Sequence, residues 1–174
     1  MLEEMCEGDI LLMQLEIPLQ TVEYAARKAF GKGVKVVLNP APARSLPKEL
    51  FRHLYMVTPN RIEAEMLTGI KIANDADVEK VAEEICAMGV KNVIITLGSK
   101  GCLIREEGVS YRIDAFKVAP VDTTAAGDTF NGALCVGLSE GMDLKQAAVM
   151  ASKASSIAVT RMGAQSSIPY REEL

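Results

Sequence analysis

The sequence predicts an α/β fold, a three-layer α/β/α sandwich with a mostly parallel sheet and a small β-hairpin. Its short apolar runs are continuous rather than alternating, which is typical of strands covered on both faces. Helix-like stretches separate these runs, and a repeated strand-then-helix order gives a parallel sheet with helices on both sides. After Gly98 two short runs flank "EEG", which predicts the hairpin.

The predicted elements follow one another along the whole chain. The apolar runs that predict parallel strands are residues 9–16, 34–40, 54–60 and 92–98. The helix-like stretches between them are residues 19–30, 48–53, 61–68 and 77–88. The hairpin strands and the last two helices are residues 102–105, 110–113, 127–139 and 144–160. The sequence has no repeats, low-complexity tracts or linkers, so we expect one α/β unit over residues 1–174.

Composition narrows the classes of partner. With 174 residues, of which 49% are hydrophobic and 24% charged, the chain can bury a substantial core. A net charge of -4 gives no electrostatic reason to expect nucleic acid or an anionic membrane, so a small soluble ligand is the expected partner. No charged-then-apolar leader opens the chain, and no apolar run approaches the roughly 20 residues that span a bilayer. We therefore expect a cytoplasmic protein.

The metal-binding and redox residues are sparse. Four cysteines lie far apart, and His53 is the only histidine, so neither a zinc site nor a disulfide framework is indicated. We interpret the cysteines as reduced core residues. They are Cys6, Cys86, Cys102 and Cys135.

Polar residues follow each of the four predicted parallel strands. Glu16 ends the first run, Asn39 the second, Asn60 and Glu63 the third, and a glycine-rich turn at 98–101 the fourth. Ligands of open α/β sheets bind beyond the carboxyl ends of the strands. Polar residues at the ends of all four strands indicate a binding site rather than a set of solvated turns.

The stretch "DTTAAGDTFNGAL", residues 122–134, begins a predicted helix with very small side chains. Ala125, Ala126 and Gly127 let a ligand approach the backbone, where the unpaired amides and the dipole of a helix start attract an anion. Asp128 in the first turn could then accept a proton from a hydroxyl that attacks phosphorus. The alternative is that Asp122, Thr124 or Asp128 merely caps the helix.

Three further motifs each have two interpretations. In "TLGSKG", residues 96–101, main-chain amides could wrap a polyphosphate, although the spacing is not that of a Walker loop. The alternative is a structural turn in which Lys100 is solvated. In "TPNRIEAE", Asn60 and Glu63 form either a helix-capping pair or the contacts of a hydrated magnesium ion. Glu16 is either an ordinary strand-end charge or an acceptor for sugar hydroxyls.

The stretch "TRMGAQSSIP", residues 160–169, follows the last predicted helix. Gly163 after a helix is typical of a C-terminal cap. The alternative is that carbonyl groups of this loop, together with Asp122, coordinate a monovalent cation. Periodicity does not separate the two.

Taken together, the segments "LLMQLEIP", "NPAPA", "TPNRIEAEMLTG", "ITLGSKG", "VDTTAAGDTFNGAL" and "AVTRMGAQSSIP" resemble the ribokinase-like carbohydrate kinase family from end to end. "DTTAAGD" is the most specific of them. The resemblance implies ATP-dependent phosphorylation of D-ribose to ribose 5-phosphate, with Asp128 as catalytic base and Ala125, Ala126 and Gly127 lining an anion hole.

The resemblance also implies roles for residues outside this segment. Glu16 and Asp128 would contact the sugar. The nucleotide and Mg2+ contacts would be Asn60, Glu63, Thr96, Leu97, Gly98, Ser99, Lys100, Gly101 and Gly127, with Ser152 near the adenine. The K+ site would comprise Asp122, Thr124, Ala158, Arg161, Gly163 and Ser167, largely through their carbonyl groups.

Members of this family are roughly twice as long, and the matched segments belong to their C-terminal half. The resemblance implies that the ATP contacts are kept, whereas most of the sugar site and its β lid lie in the unmatched half. The flank of the first strand would then be an apolar edge that invites self-association or pairing with an N-terminal half. Two alternatives stay open: a nucleotide-binding or interaction module without catalysis, and a kinase for another sugar or nucleoside.

Overall fold

The computed structural model describes residues 2–174. These residues form two compact units. The first consists of the residues up to Leu97 together with Cys102–Arg112, and the second consists of Gly98–Gly101 and Ile113–Leu174. The single unit expected over residues 1–174 stays a prediction.

The first unit contains most of the sheet and four helices. Its strands are β1 (Ile10–Met13), β2 (Lys35–Leu38), β3 (Met56–Val57), β4 (Asn92–Thr96), β5 (Cys102–Glu106) and β6 (Val109–Ile113), whose last residue belongs to the second unit. Its helices are α1 (Leu19–Phe30), α2 (Lys48–Phe51), α3 (Arg61–Thr68) and α4 (Asp75–Ala87). The second unit contains two long helices, α5 (Ala126–Ser139) and α6 (Leu144–Ala158).

The six strands follow the order β1-β2-β3-β4-β5-β6 across the sheet. The first four are parallel, with Leu12 opposite Val37 and Leu38 opposite Val57, whereas β5 runs antiparallel to β4. Two residues with positive φ, Glu107 and Gly108, separate β5 from β6, as a tight hairpin turn requires. The predicted α/β fold with a mostly parallel sheet and a hairpin is therefore confirmed.

Most predicted helix boundaries agree with the structure. Helices α1 and α3 begin and end at the predicted residues. Helix α4 begins at Asp75, two residues before the prediction, because Asn74 and Asp77 form a complete capping box. Helix α6 ends at Ala158 rather than at residue 160. The strands are shorter than their apolar runs, since only paired residues count as strand.

Each unit has its own apolar interior. In the first unit the central strands are fully buried, including Val36, Val57 and Ile95. In the second unit α5 and α6 pack closely, because a Cβ atom at Gly137 would lie 3.1 Å from that of Ala147. The small side chains that give α6 this contact surface recur at helical spacing and are buried, namely Ala147, Ala151, Ala154 and Ala158.

Strand β1 is one edge of the sheet, and Leu12 on it is 37% exposed. Within residues 2–174 no helix is long and apolar enough to cross a membrane. All four cysteines are free, and Cys102 is buried as expected. The core interpretation is wrong for Cys6, which is exposed because it lies in the turn before β1, where its amide donates to Asp9.

Candidate functional site

Helix α5 begins without a side-chain cap. Its N-cap residue is Ala125, which has φ of 58° and no side chain that can accept a hydrogen bond. The capping alternative for Asp122, Thr124 and Asp128 is therefore wrong, because none of them occupies the N-cap position. The Thr129 amide donates to the Ala125 carbonyl at 2.9 Å, which is the first bond of the helix.

The amides in the first turn of α5 are not equivalent in their hydrogen bonding. The Ala126 amide donates to Thr123 at a long 3.3 Å. The amides of Gly127 and Asp128 come next, at positions where an α-helix offers no acceptor of its own. These two amides are candidate donors for an anion, and the anion hole at residues 125–127 stays a prediction.

The surroundings of these amides leave room for a ligand. Gly127 is exposed, and a Cβ atom built on it meets no heavy atom within 4 Å. Asp128 is also exposed, in the same turn. The next residue, Thr129, is 4% exposed, and its hydroxyl has no hydrogen-bond partner among residues 2–174. The position of these amides at a helix start and the free space around Gly127 fit a phosphate-sized anion.

The carbonyl groups behind these amides are held by two side chains. The Ser155 hydroxyl of α6 donates to the Ala126 carbonyl at 2.9 Å, and the Asn131 amide nitrogen donates to the Gly127 carbonyl at 2.9 Å. Sequence reasoning missed both residues. The polar "N" of "TFNGAL", four residues after Gly127 on a largely apolar helix, is the one signal that could have indicated Asn131.

Asp122 connects two loops of the second unit. Its carboxylate accepts the Thr124 amide at 2.9 Å and the Gly163 amide at 3.0 Å. The hydrogen bonds from Thr124, followed by the one from Gly163, hold the pKa of Asp122 below its ordinary value. The Val121 amide adds a 2.7 Å bond to the Val159 carbonyl. The structure thus brings together three of the six residues predicted for a potassium site.

The other three residues of that set make local contacts. The Ala158 carbonyl accepts the Arg161 amide at 3.0 Å, and the Arg161 guanidinium pairs with Glu173. Ser167 is fully buried and donates to the Ala164 carbonyl at 2.7 Å. Among the described residues no group of three or more His, Cys, Asp or Glu could hold a metal. A cation site in this loop would therefore depend on main-chain carbonyls.

The strand exits of the first unit meet along one edge of the sheet. The Asn39 side chain accepts from Gln14 at 3.3 Å and donates to the Thr58 carbonyl at 3.2 Å, which links the exits of β1, β2 and β3. Asn60 forms a parallel bridge with Thr96 at the end of β4. Sequence reasoning missed Gln14 and Thr58. Glu16, beyond β1, is exposed.

Asn60 and Glu63 close the start of α3. The Glu63 amide donates to the Asn60 side chain at 2.9 Å, and the Asn60 amide donates back to the Glu63 carboxylate at 2.8 Å. The Asn60 side-chain nitrogen reaches the second carboxylate oxygen at 2.7 Å. Burial raises the pKa of Glu63. The capping interpretation is confirmed, and the contact to a hydrated magnesium ion stays a prediction.

The glycine-rich turn after β4 contains two different glycines. Gly101 has φ of +80°, and a Cβ atom there would lie 1.9 Å from the Ile113 carbonyl oxygen, so this position is structurally restricted to glycine. Gly98 has φ of +59° and open space around it. Ser99 and Lys100 are exposed. The two remaining predicted nucleotide contacts are half-buried, namely Leu97 and Ser152.

Comparison with known proteins identifies the family to which the chain belongs. The profile of the pfkB family carbohydrate kinases matches residues 4–171. The chain belongs to this family, which confirms the resemblance of its motifs.

Within the family the chain is similar to ribokinases. It is 47% identical to ribokinase of Haemophilus influenzae over 170 residues, covering 98% of this chain and 56% of that protein. It superposes on the crystal structure of a Thermotoga maritima ribokinase with a TM-score of 0.87 at 45% identity, covering 95% of this chain and 55% of the other. An Arabidopsis thaliana ribokinase complexed with ribose and ATP gives 0.91 at 32% identity, with 95% and 54% covered. The chain thus spans about half the length of these relatives.

Proposed function

We propose that this chain carries the phosphoryl-transfer half of an ATP-dependent kinase that converts D-ribose to ribose 5-phosphate. The observation that carries the proposal is the start of α5, where an acid stands beside two amides without intrahelical acceptors and an open glycine. Membership of the pfkB family and the similarity to ribokinases support the same chemistry.

Asp128 is the proposed catalytic base. It accepts the proton of the ribose 5-hydroxyl while that oxygen forms its bond to the terminal phosphorus and the bond to the leaving phosphate breaks. General bases of this kind contribute about 10²–10⁴-fold to a rate. The amides of Gly127 and Asp128 stabilise the negative charge that develops on the transferring group, and one such donor is worth roughly 10²–10³-fold. Ala125 and Ala126 keep the approach to these amides free of bulk.

The remaining predicted site residues receive supporting roles. Glu63, with Asn60, holds the waters of a magnesium ion, and bound magnesium would neutralise phosphate charge. Asp122 organises a potassium-binding loop, in which carbonyl groups supply the ligands. Glu16 accepts hydroxyl groups of the sugar. The proposed nucleotide contacts are Asn60, Thr96, Leu97, Gly98, Ser99, Lys100, Gly101 and Ser152, and the proposed potassium contacts besides Asp122 are Thr124, Ala158, Arg161, Gly163 and Ser167.

The sugar-binding part of the activity needs further residues. Because the chain spans about half the length of its relatives, we propose that the residues needed for sugar binding belong to the half of the ribokinase fold that it does not span. The exposed edge strand β1, with Leu12 on it, is the surface proposed for pairing with that half or for self-association. The second candidate is a module that binds ATP but transfers no phosphate.

Calorimetry and an ADP-release assay test these two functions. We expect the chain to bind ATP with magnesium, and we expect ribose-dependent ADP release once the remaining part of the H. influenzae ribokinase is added as a separate polypeptide. ATP binding without ribose binding and without turnover in either mixture would favour the binding module. Absence of ATP binding at millimolar concentration would contradict both. Comparison of ribose with other sugars and nucleosides identifies the acceptor.

A further inference from the structure

We propose that Asn39 is a positioning residue that fixes the exit of β3, where Asn60 and Glu63 begin helix α3. Its side chain supplies the hydrogen bond that Pro40 cannot give to the neighbouring strand. The inference rests on the proposed function for its consequence, because Asn60 and Glu63 are the proposed contacts to nucleotide and magnesium. It assigns a role to "NPAPA", a motif of the sequence to which the proposed function gives none.

The hydrogen-bond ladder between β2 and β3 stops at Pro40. Leu38 lies opposite Val57, and the Thr58 amide donates to the Leu38 carbonyl at 3.0 Å. In a parallel ladder the carbonyl of the donating residue accepts in turn from the residue two positions further along the neighbouring strand. For Thr58 that residue is Pro40, which has no N–H. The main chain of β2 therefore cannot provide the next bond of the ladder.

The Asn39 side chain takes the place of this missing donor. Its nitrogen donates to the Thr58 carbonyl at 3.2 Å, and its oxygen accepts from the Gln14 side chain at 3.3 Å. Because only a nitrogen can donate to a carbonyl, these partners define which end of the amide faces which strand. Asn39 is 8% exposed and Thr58 is 1% exposed, and a buried carbonyl that loses a donor is costly. Asn39 thus ties the exit of β3 to β2 and, through Gln14, to the exit of β1.

This bond lies two residues before the start of α3. Thr58 is followed by Pro59 and then by Asn60, the N-cap of α3, whose side chain accepts the Glu63 amide at 2.9 Å. On the side of β4, the Thr96 amide donates to the Pro59 carbonyl at 2.9 Å. The main chain therefore holds this segment toward β4, and Asn39 holds it toward β2. A shift at Thr58 moves Asn60 and Glu63 together, because the capping box joins them.

A second asparagine makes the same bond at the opposite end of β3. The Asn92 side chain, which is 1% exposed, donates to the Tyr55 carbonyl at 3.2 Å. The main-chain amide of Asn92 donates to the same carbonyl at 3.1 Å. The side-chain bond is thus added to a main-chain bond at the entrance of β3, whereas at the exit Pro40 leaves the main chain without a donor. Asn92 is therefore a matched control, a buried asparagine bonded to a carbonyl beside β3 but away from α3.

The first measurement is MgATP binding to the chain by calorimetry. Residues that orient the ligands of a metal site typically cost about 10–100-fold in metal affinity or activity when they are removed, so Asn39→Ala should weaken MgATP binding by about tenfold or more. Asn92→Ala should bind MgATP as the unaltered chain does, because its bond lies at the other end of the strand.

The double variant Asn39→Ala/Pro40→Ala tests the missing donor directly. Pro40→Ala restores a main-chain N–H where the ladder lacks one, so the double variant should regain most of the affinity that Asn39→Ala loses. Pro40→Ala alone should bind MgATP as tightly as the unaltered chain, because Asn39 still donates to Thr58. A general loss of core packing in Asn39→Ala would not be reversed by removing a proline.

Amide hydrogen exchange tests the same role without a ligand. The Thr58 and Glu63 amides are followed, with the Ile94 amide in the middle of β4 as the reference. Asn39→Ala should accelerate exchange at Thr58 and Glu63 by about tenfold and leave Ile94 unchanged, because opening is local. The double variant should return both rates to those of the unaltered chain. Equal acceleration at all three amides would overturn the proposal.

The two levels of inference fail separately. If the unaltered chain binds no MgATP, the proposed function fails, whereas the exchange rates still decide the role of Asn39. If MgATP binds, but Asn92→Ala loses as much affinity as Asn39→Ala or Pro40→Ala restores none of it, the role of Asn39 is overturned and the proposed function stands. If Asn39→Ala does not fold, folding of the double variant supports the missing donor, and failure of both variants overturns it.

Discussion

The starts of α3 and α5 use opposite solutions for the same unpaired amides. At α3, Asn60 and Glu63 bond reciprocally, with three hydrogen bonds of 2.7–2.9 Å between them. At α5, Ala125 offers no side-chain acceptor, and the next residues are small and partly or fully exposed. One start is closed by its own side chains, and the other is left open.

A capped helix start contributes to folding stability, whereas an uncapped start can bind a ligand. A side-chain N-cap is typically worth about 1 kcal/mol of folding free energy, which the closed start gains. The open start forgoes this contribution. Together with membership of the pfkB family, the missing cap supports the anion site proposed at α5.

The largest expected effect concerns Asp128. Asp128→Asn should lower kcat of the reconstituted kinase by about 10²–10⁴-fold, because the amide cannot accept the proton. ATP affinity by calorimetry should change little. Asp143→Asn is the matched control, since asparagine caps α6 as well as aspartate does and should leave the rate intact. Retention of half the activity in Asp128→Asn would exclude this residue as the base.

The second effect concerns the open space at Gly127. Gly127→Ala should weaken ATP binding by about tenfold, or about 1.4 kcal/mol, because its methyl group fills the space in front of the amides. The control is Gly132→Ala, which lies in the same helix and also meets no atom within 4 Å. Both variants should be up to about 1 kcal/mol more stable to unfolding, since alanine favours the helix. Equal ATP affinity in the two variants would place the phosphate elsewhere.

The third prediction is a smaller effect and concerns the side-chain cap at the start of α3. Asn60→Ala should reduce the free energy of unfolding by about 1 kcal/mol, because the cap of α3 is lost. Ala125→Gly should change it by only a few tenths of a kcal/mol, since no side-chain bond is lost and glycine accepts the positive φ. Urea denaturation of both variants gives the comparison. The contrast between the two helix starts fails if the two costs are the same.

The smallest effect on stability is expected for Glu63→Gln. Glutamine can keep the capping bond to the Asn60 amide but carries no charge. Burial raises the pKa of Glu63, so its contribution to stability is complete below the ordinary glutamate pKa and is lost as pH rises through the raised value. Glu63→Gln should remove this decline from the pH dependence of unfolding. A weaker magnesium dependence of ATP binding in the same variant would support the water-mediated contact, and an unchanged one would restrict Glu63 to capping.

Local patterns were sufficient wherever a structure is decided by neighbours in the sequence. Helix α3 was predicted over its full length, because Asn60 before it and Gly69 after it are local signals. The start of α4 was missed by two residues, although Asn74 and Asp77 contained the same signal. For β1 the apolar run extends beyond the strand, since pairing with β2 rather than hydrophobicity sets where a strand ends.

The residues of the candidate site also differ in whether the local sequence predicts their role. Asp128 and the open amides follow from "DTTAAGD", in which composition and position within a helix already indicate the chemistry. Gly98 and Gly101 look alike in the sequence, yet only Gly101 lies against the Ile113 carbonyl. Ser155 looks like filler in an alanine-rich helix. Its hydrogen bond to the Ala126 carbonyl joins it to a residue far away in the chain.

The sequence by itself determined the alternation of strands and helices, the small residues at the start of α5 and the acid beside them, because these depend on periodicity and on the conformational preferences of adjacent residues. Only the tertiary structure decided which helix starts are closed by their own side chains and which carbonyls accept hydrogen bonds from Ser155 and Asn131. The physical reason is that a hydrogen bond depends on distance and angle between two groups. For groups far apart in the chain, folding alone sets that geometry.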